Sequence, residues 1–360
     1  MDVFNNPFGR RATALCCLAF SAINTPVYAL ECGDVITTPS FLFKQLSCSE
    51  SPALTVVGPA TLSMNGFSVT CDSQEGGVGI LLSGSDGFIS GGEVSGCRQG
   101  VVVDGSGGHS VFGMTVSANG FGDDGEGDGD EAGFLVLSGY NFFIQNQALN
   151  NGVDGFNIDG SHNAFLYNKS SDNENDGFDI DGGSYNSFSN NTASGNGDDG
   201  FDVDSGFSDE SDLGEGEHNT FTLNMANGNG RDGFDVDGNY GRFINNTANN
   251  NGMEDDENEE DGFDIDSKGN VLRGNIANNN PGDGIVLKDN DYDEGDNTLE
   301  SNSTRRNGQM GIRVISDDNT VTMNFSFHND EFDLYDDRSD CGGNRWWFNF
   351  YRNKSEACIR

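Results

Sequence analysis

The chain repeats itself, and the repeat is too short to be a fold on its own. The phrase DGFDxD opens at residues 176, 199, 232 and 261, and a weaker copy, DGFNID, opens at 154. A glycine begins each strand of alternating apolar residues: Gly79, Gly100, Gly133, Gly155, Gly177, Gly200, Gly233, Gly262, Gly284 and Gly311, with Glu331 in the same place in EFDLYD. The steps between these positions are 21, 33, 22, 22, 23, 33, 29, 22, 27 and 20, a base period of about 22 interrupted by four insertions. A unit of that length cannot bury an apolar face alone. It must stack on copies of itself, so the period predicts a solenoid.

Within each unit the apolar period is two, which marks a strand. The residue after the glycine is Phe134, Phe156, Phe178, Phe201, Phe234, Phe263, Ile285, Ile312 or Phe332, and two further on stands Val136, Ile158, Ile180, Val203, Val236, Ile265, Leu287, Val314 or Leu334. Both sets are expected to point inward, so the residues between and after them point out. A second strand is expected ahead of each glycine, in the pattern N-x4-N-x4-N: Asn163, Asn168 and Asn173, then Asn186, Asn191 and Asn196, then Asn219, Asn224 and Asn229. Stacking turns these into columns in which each amide donates to one neighbour and accepts from another. The small residue two after the middle asparagine (Ala148, Ser170, Ala193, Ala226, Ala248, Ala277) fits a tight corner.

This register of Gly, Phe/Ile and Asn over roughly residues 55–336 resembles the right-handed parallel β-helix repeat family, the pectate-lyase-like solenoids. The resemblance implies an all-β solenoid of roughly 11–13 coils, stacked at ~4.8 Å. It also implies caps at both ends, from residues 32–71 and from CGGNRWWFNFYRNKSEAC at 341–358. The expected division is a signal segment at 1–29, an amino-terminal cap and first coil at 30–75, repeats at 76–336 and a carboxy-terminal cap at 337–360.

Arg10 and Arg11, the apolar run ATALCCLAFSAI and the Val27-Tyr28-Ala29 stretch form the pattern of a secretory signal. No later stretch is long and apolar enough for a transmembrane helix. Export suits the cysteines left behind it: Cys32, Cys48, Cys71, Cys97, Cys341 and Cys358. Six cysteines allow fifteen connectivities; proximity favours 32–48, 71–97 and 341–358. The expected location is extracellular: cell wall, matrix or periplasm.

The chain carries 59 acidic and 18 basic residues, a formal net charge of -41. That balance excludes nucleic acid as a partner and favours cations, or a ligand bridged by cations. The acid is in register. One outward column holds Asp179, Asp202, Asp235 and Asp264 after Asn157; the next holds Asp159, Asp181, Asp204, Asp237 and Asp266. A third, at the turn before the strand, holds Asp154, Asp176, Asp199, Asp232, Asp261 and Asp283. Like charges ~4.8 Å apart repel by ~1 kcal/mol in water and ~3.5 kcal/mol at an effective dielectric of ~20. Bound cations or raised pKa values must relieve this. Oxygen-only ligands in a tolerant geometry point to Ca²⁺. Acidic insertions at 121–131, 206–217, 253–261 and 290–296 fall at the corners flanking the same strand, as walls of a groove would.

The expected function is therefore Ca²⁺ binding through the Asp columns and, through Ca²⁺, attachment to an anionic polysaccharide or mineral. A second reading is a Ca²⁺-dependent lyase or epimerase on uronic-acid polymers, with Lys288 or Arg313 as base or substrate clamp. A third is a structural solenoid whose acid serves solubility. The hydrolase signatures of the resembled family (Gly-His-Gly and Arg-Ile-Lys) and the Asp-Pro-His-Asp motif of alginate epimerases are absent. His162 and His218 fit surface corners. Of six N-x-[ST] sequons, Asn168, Asn302 and Asn324 fall in the middle asparagine column, leaving Asn190, Asn245 and Asn353 as glycan acceptors.

Overall fold

The structure is a computed structural model that describes residues 29–72, 77–120, 131–205, 216–253, 260–288 and 295–360. The expected signal segment thus lies, but for Ala29, outside the described residues. Three parallel sheets, of 13, 13 and 12 strands, run the length of a solenoid. Each coil contributes one strand to each sheet. In one coil these are Phe178–Asp181, Ser187–Ser189 and Thr192–Ser194, after which Phe201–Asp204 returns to the first sheet. The single strand expected across N-x4-N-x4-N is thus two strands in two sheets. The chain bends between them at a residue in the left-handed region, such as Tyr167 (φ 57°) or Asn190 (φ 56°), which ends one run of extended backbone and starts the next.

Register is set by side chains of equal size. Phe178 pairs with Phe201, Asp179 with Asp202, Ile180 with Val203 and Asp181 with Asp204. The inward phenylalanines of the first sheet stack from Phe134 to Phe263 with ring centroids 4.5–4.8 Å apart. A second ladder, Phe143, Phe165, Phe188, Phe221 and Phe243, rises from the second sheet at 4.7–4.9 Å. The two ladders meet edge to face, as between Phe201 and Phe221 at 5.7 Å, the arrangement the ring quadrupole favours.

Opposite these rings the interior narrows. Ala193 is fully buried at the centre of its third-sheet strand, so the small residues line the core and do not form corners. The repeat glycine faces them. A Cβ on Gly177 would lie 2.8 Å from the Cβ of Ala193 and 2.6 Å from the carbonyl oxygen of Gly200; close approach, not left-handed backbone, demands glycine there. The asparagine columns form as expected. Asn168 donates its backbone N–H to Asn191 Oδ1 at 2.9 Å, its amide to the same oxygen at 3.1 Å and to the Phe143 carbonyl at 2.9 Å.

Disulfides join Cys32 to Cys48, Cys71 to Cys97 and Cys341 to Cys358. At the carboxy-terminal end the register departs from expectation. Ile312 pairs with Leu334 and Val314 with Asp336, so Asp333, not Glu331, occupies the glycine position and Phe332 is only half-buried. The cap, and not another repeat, covers this strand, with Leu334 bridged to Lys354, and a side chain fits there. The Asp333 carboxylate accepts from the Asn329 amide at 3.1 Å and from the Arg352 backbone N–H at 2.7 Å. Asp336 points inward and accepts from Trp346 Nε1 at 2.8 Å.

Candidate metal-binding face

The outward face of the first sheet carries the Asp columns. Its strands hold the inner column in direct pairs: Asn157 with Asp179, Asp179 with Asp202, Asp202 with Asp235, and Asp235 with Asp264. Beyond Asp264 the column continues through Val286, Arg313 and Tyr335.

The turn column was expected on the surface, and the structure corrects this. Asp154, Asp199, Asp232, Asp261 and Asp283 are buried and Asp176 is half-buried. Each Oδ1 accepts the backbone N–H one coil on: Asp176 to Asp154 at 3.0 Å, Asp199 to Asp176 at 2.6 Å, Asp232 to Asp199 at 2.5 Å, Asp261 to Asp232, Asp283 to Asp261, and Met310 to Asp283 at 2.6 Å. It is a fourth ladder, built of carboxylates. Its physical reason is a backbone donor at every step that must be satisfied on burial. One oxygen of each carboxylate is thus spoken for, and the other is left to neighbours.

Eight of the candidate aspartates converge. Oxygens of Asp176, Asp199 and Asp202, of Asp179, Asp202 and Asp204, and of Asp232, Asp235 and Asp264 lie within 4.8 Å of one another in each group. Among the described residues, Asp154, Asp159, Asp181, Asp237, Asp261 and Asp266 enter no such group. In two of the groups an oxygen is buried with no hydrogen-bond partner among the described residues: Asp179 Oδ1 and Asp264 Oδ1. Asp179 Oδ2 accepts from Asn157 Nδ2 at 2.8 Å.

Burial and mutual repulsion raise these acids. Asp176, Asp179, Asp199, Asp202, Asp232 and Asp261 are all pushed well above the usual carboxylate range, first by loss of water and then by neighbouring carboxylates. Burial also raises Asp154 to about 7, Asp235 to about 6 and Asp237 to about 7, with adjacent carboxylates adding to it. Asp283 reaches about 6 through burial, although the Met310 N–H and Arg313 oppose it. The donor set is oxygen only, clustered and electrostatically frustrated without a cation, which fits a hard divalent ion.

Lys288 and Arg313 close one end of this face. Lys288 Nζ pairs with Asp264 Oδ2, and Arg313 Nη1 lies 3.7 Å from Asp283 Oδ2. Burial would lower the lysine, but Asp264 and the acids behind it more than offset that and raise it. It stays protonated at neutral pH, which suits a counter-ion and not a general base. The acidic insertions lie, apart from their ends, outside the described residues.

His162 and His218 stand in a feature that the sequence reading missed. Tyr140, His162, Tyr185, His218 and Tyr240 stack on one exposed corner with centroids 4.8–5.2 Å apart. The signal was present: four of these rings directly precede the first ladder asparagine of their coil. Asn168, Asn302 and Asn324 are buried in the ladder; Asn245 and Asn353 are exposed and Asn190 half-exposed. Asn353 is also engaged, accepting the Asp333 N–H at 2.9 Å and donating to the Glu331 carbonyl at 2.8 Å.

A family model described as "right handed beta helix region" matches residues 63–209 and 126–255, together more than half of the chain. The chain belongs to the right-handed β-helix family. Solved β-helix structures share the fold at low identity. A periplasmic alginate epimerase double mutant is 13% identical with a TM-score of 0.60, over 89% of this chain and 78% of its own. The A-module of an Azotobacter vinelandii mannuronan C-5 epimerase is 16% identical with a TM-score of 0.50, over 90% of both chains. The Dettilon tailspike protein is 14% identical with a TM-score of 0.51 over 88% of this chain, which spans 61% of the tailspike's length. No curated protein sequence matches the chain. Among the described residues of this β-helix no helix is long and apolar enough to cross a membrane.

Proposed function

We propose that the outward face of the first sheet binds Ca²⁺ and, through it, an anionic extracellular polymer or mineral, with polysaccharide as the favoured class. The observation that carries this reading is the convergence of Asp179, Asp202 and Asp204 and of Asp232, Asp235 and Asp264, each group with a buried carboxylate oxygen that lacks a hydrogen-bond partner among the described residues. A carboxylate in that state either holds a proton or meets a cation; Lys288 already supplies one to Asp264, so the Asp179 group carries the argument furthest. A Ca²⁺ ion held by a few protein oxygens on an open face keeps ligand positions for a second anion. Repetition along the axis suits a repeating polymer. The fold is one that alginate and mannuronan epimerases also use, which supports a uronate polymer as the first ligand to try. The three disulfides support an extracellular site of action.

Calorimetric titration of the purified chain with Ca²⁺, with Mg²⁺ as control, tests the proposal. The expected result is several saturable sites with a matching rise in melting temperature. Anionic glycan should then bind only in the presence of Ca²⁺. Heat no greater than that with Mg²⁺ would leave the acid as a solvated surface and sink the reading.

A further inference from the structure

The two ends of the solenoid each carry a group of exposed large apolar side chains. At the carboxy-terminal end Trp347, Phe348 and Phe350 are 54%, 77% and 51% exposed. Phe350 stacks on Phe325 of the preceding coil at 4.7 Å. At the amino-terminal end Val35, Phe41 and Phe43 are 63%, 38% and 53% exposed. Large apolar side chains exposed in a group at such a level mark a contact surface.

The positions match. Successive pairings from Phe41 with Ser63 to Thr322 with Trp347 place Phe41 and Trp347 in one outward column of the second sheet. Each is followed within two residues by a further exposed ring, Phe43 or Phe348. Their strands, Ser40–Phe41 and Arg345–Trp347, are the first and last of that sheet. Among the described residues each therefore offers one backbone edge for pairing. All strands of the sheet are parallel, so only a copy stacked in the same sense extends it in kind.

Charge agrees. Residues 341–360 hold four cations (Arg345, Arg352, Lys354, Arg360) against one acid, Glu356, and residues 30–50 hold Glu31, Asp34 and Glu50 against Lys44. In a chain of net charge -41, these two segments are of opposite sign, although Asp333, Asp336, Asp337 and Asp340 of the same last coil offset the basic one.

We propose that copies of this chain stack head to tail along the solenoid axis, the Arg345–Trp347 end of one on the Ser40–Phe41 end of the next. The contact is heterologous, so it does not close, and it builds an open series. It sets acidic faces in line and does not depend on what those faces bind.

Sedimentation velocity of the exported chain, in moderate salt with a chelator to exclude Ca²⁺ bridging, tests it. The wild type is expected to populate dimers, trimers and longer species as concentration rises. Phe41→Asp and Trp347→Asp should each be monomeric, with circular dichroism and melting temperature matching the wild type. Mixed in equal amounts, they should give dimers and nothing larger, since one intact head meets one intact tail. A wild type that stays monomeric overturns the proposal, as does a mixture that stays monomeric. A wild type that stops at a dimer indicates a closed, isologous contact and overturns it equally.

Discussion

Asn191 shows what a single ladder residue does. Its Oδ1 accepts the Asn168 backbone N–H at 2.9 Å and the Asn168 amide at 3.1 Å, while its own amide donates to the Phe165 carbonyl at 2.9 Å and to Asn224 Oδ1 at 3.1 Å. Alanine there strands a buried N–H and a buried carbonyl in neighbouring coils. The expected loss is about 3 kcal/mol of stability, read by denaturant titration. Asp202 tests the metal-binding face at the same scale, because it belongs to two of the three oxygen groups. Asp202→Asn keeps the shape and removes one charge. It should raise the melting temperature of the metal-free chain and weaken Ca²⁺ binding in calorimetry. A drop in the first or no change in the second would mean that Asp202 is neither frustrated nor a ligand.

At the scale of the element, the first-sheet strand is a compromise between its two sides. Inside, Phe201 stacks on Phe178 and Phe234, each at 4.8 Å, and meets Phe188 and Phe221 edge to face at 6.2 and 5.7 Å. Outside, the same strand carries carboxylates in direct register with those above and below. The stacked rings hold the repelling acids at coil spacing. Phe201→Ala should cost about 3–5 kcal/mol in denaturant unfolding. It should also weaken Ca²⁺ binding at the neighbouring groups although Phe201 touches no ion, because the cavity loosens the strand that aligns Asp202 and Asp204.

The whole molecule should show this frustration in its pH dependence. Asp154, Asp235 and Asp283 titrate at about 7, 6 and 6 in the folded chain and near ~3.9 when unfolded. Between those values the folded chain binds more protons than the unfolded one, so stability falls as pH rises. Without metal, the melting temperature should be higher at pH 5 than at pH 8. Ca²⁺ should restore it at pH 8 and change it little at pH 5, where protons already occupy the carboxylates. Thermal melts at the two pH values, with and without Ca²⁺, check this. A metal-free melting temperature that rises with pH would show that the buried carboxylates are not held protonated by the fold.

Proximity along the chain gave the cysteine pairing; the period of about 22, the alternation of Phe and Asp and the recurring asparagines settled the solenoid, its inward columns and its ladders. They did so because the repeat puts identical residues one strand apart, and local spacing then is tertiary structure. What the sequence left open depends on the angle between strands in one coil. Whether N-x4-N-x4-N was one strand or two turned on left-handed residues such as Tyr167 and Asn190, which no apolar period reports. That the first Asp of DGFDxD turns in to accept a backbone N–H, while the second and third face out, follows from the corner's path. The last coil shifted by two residues because no further repeat stacks beyond it, only the cap, whose Lys354 bridges Leu334: there the repeat stops dictating, and the cap's own hydrogen bonds to Asp333 and Asp336 choose the register.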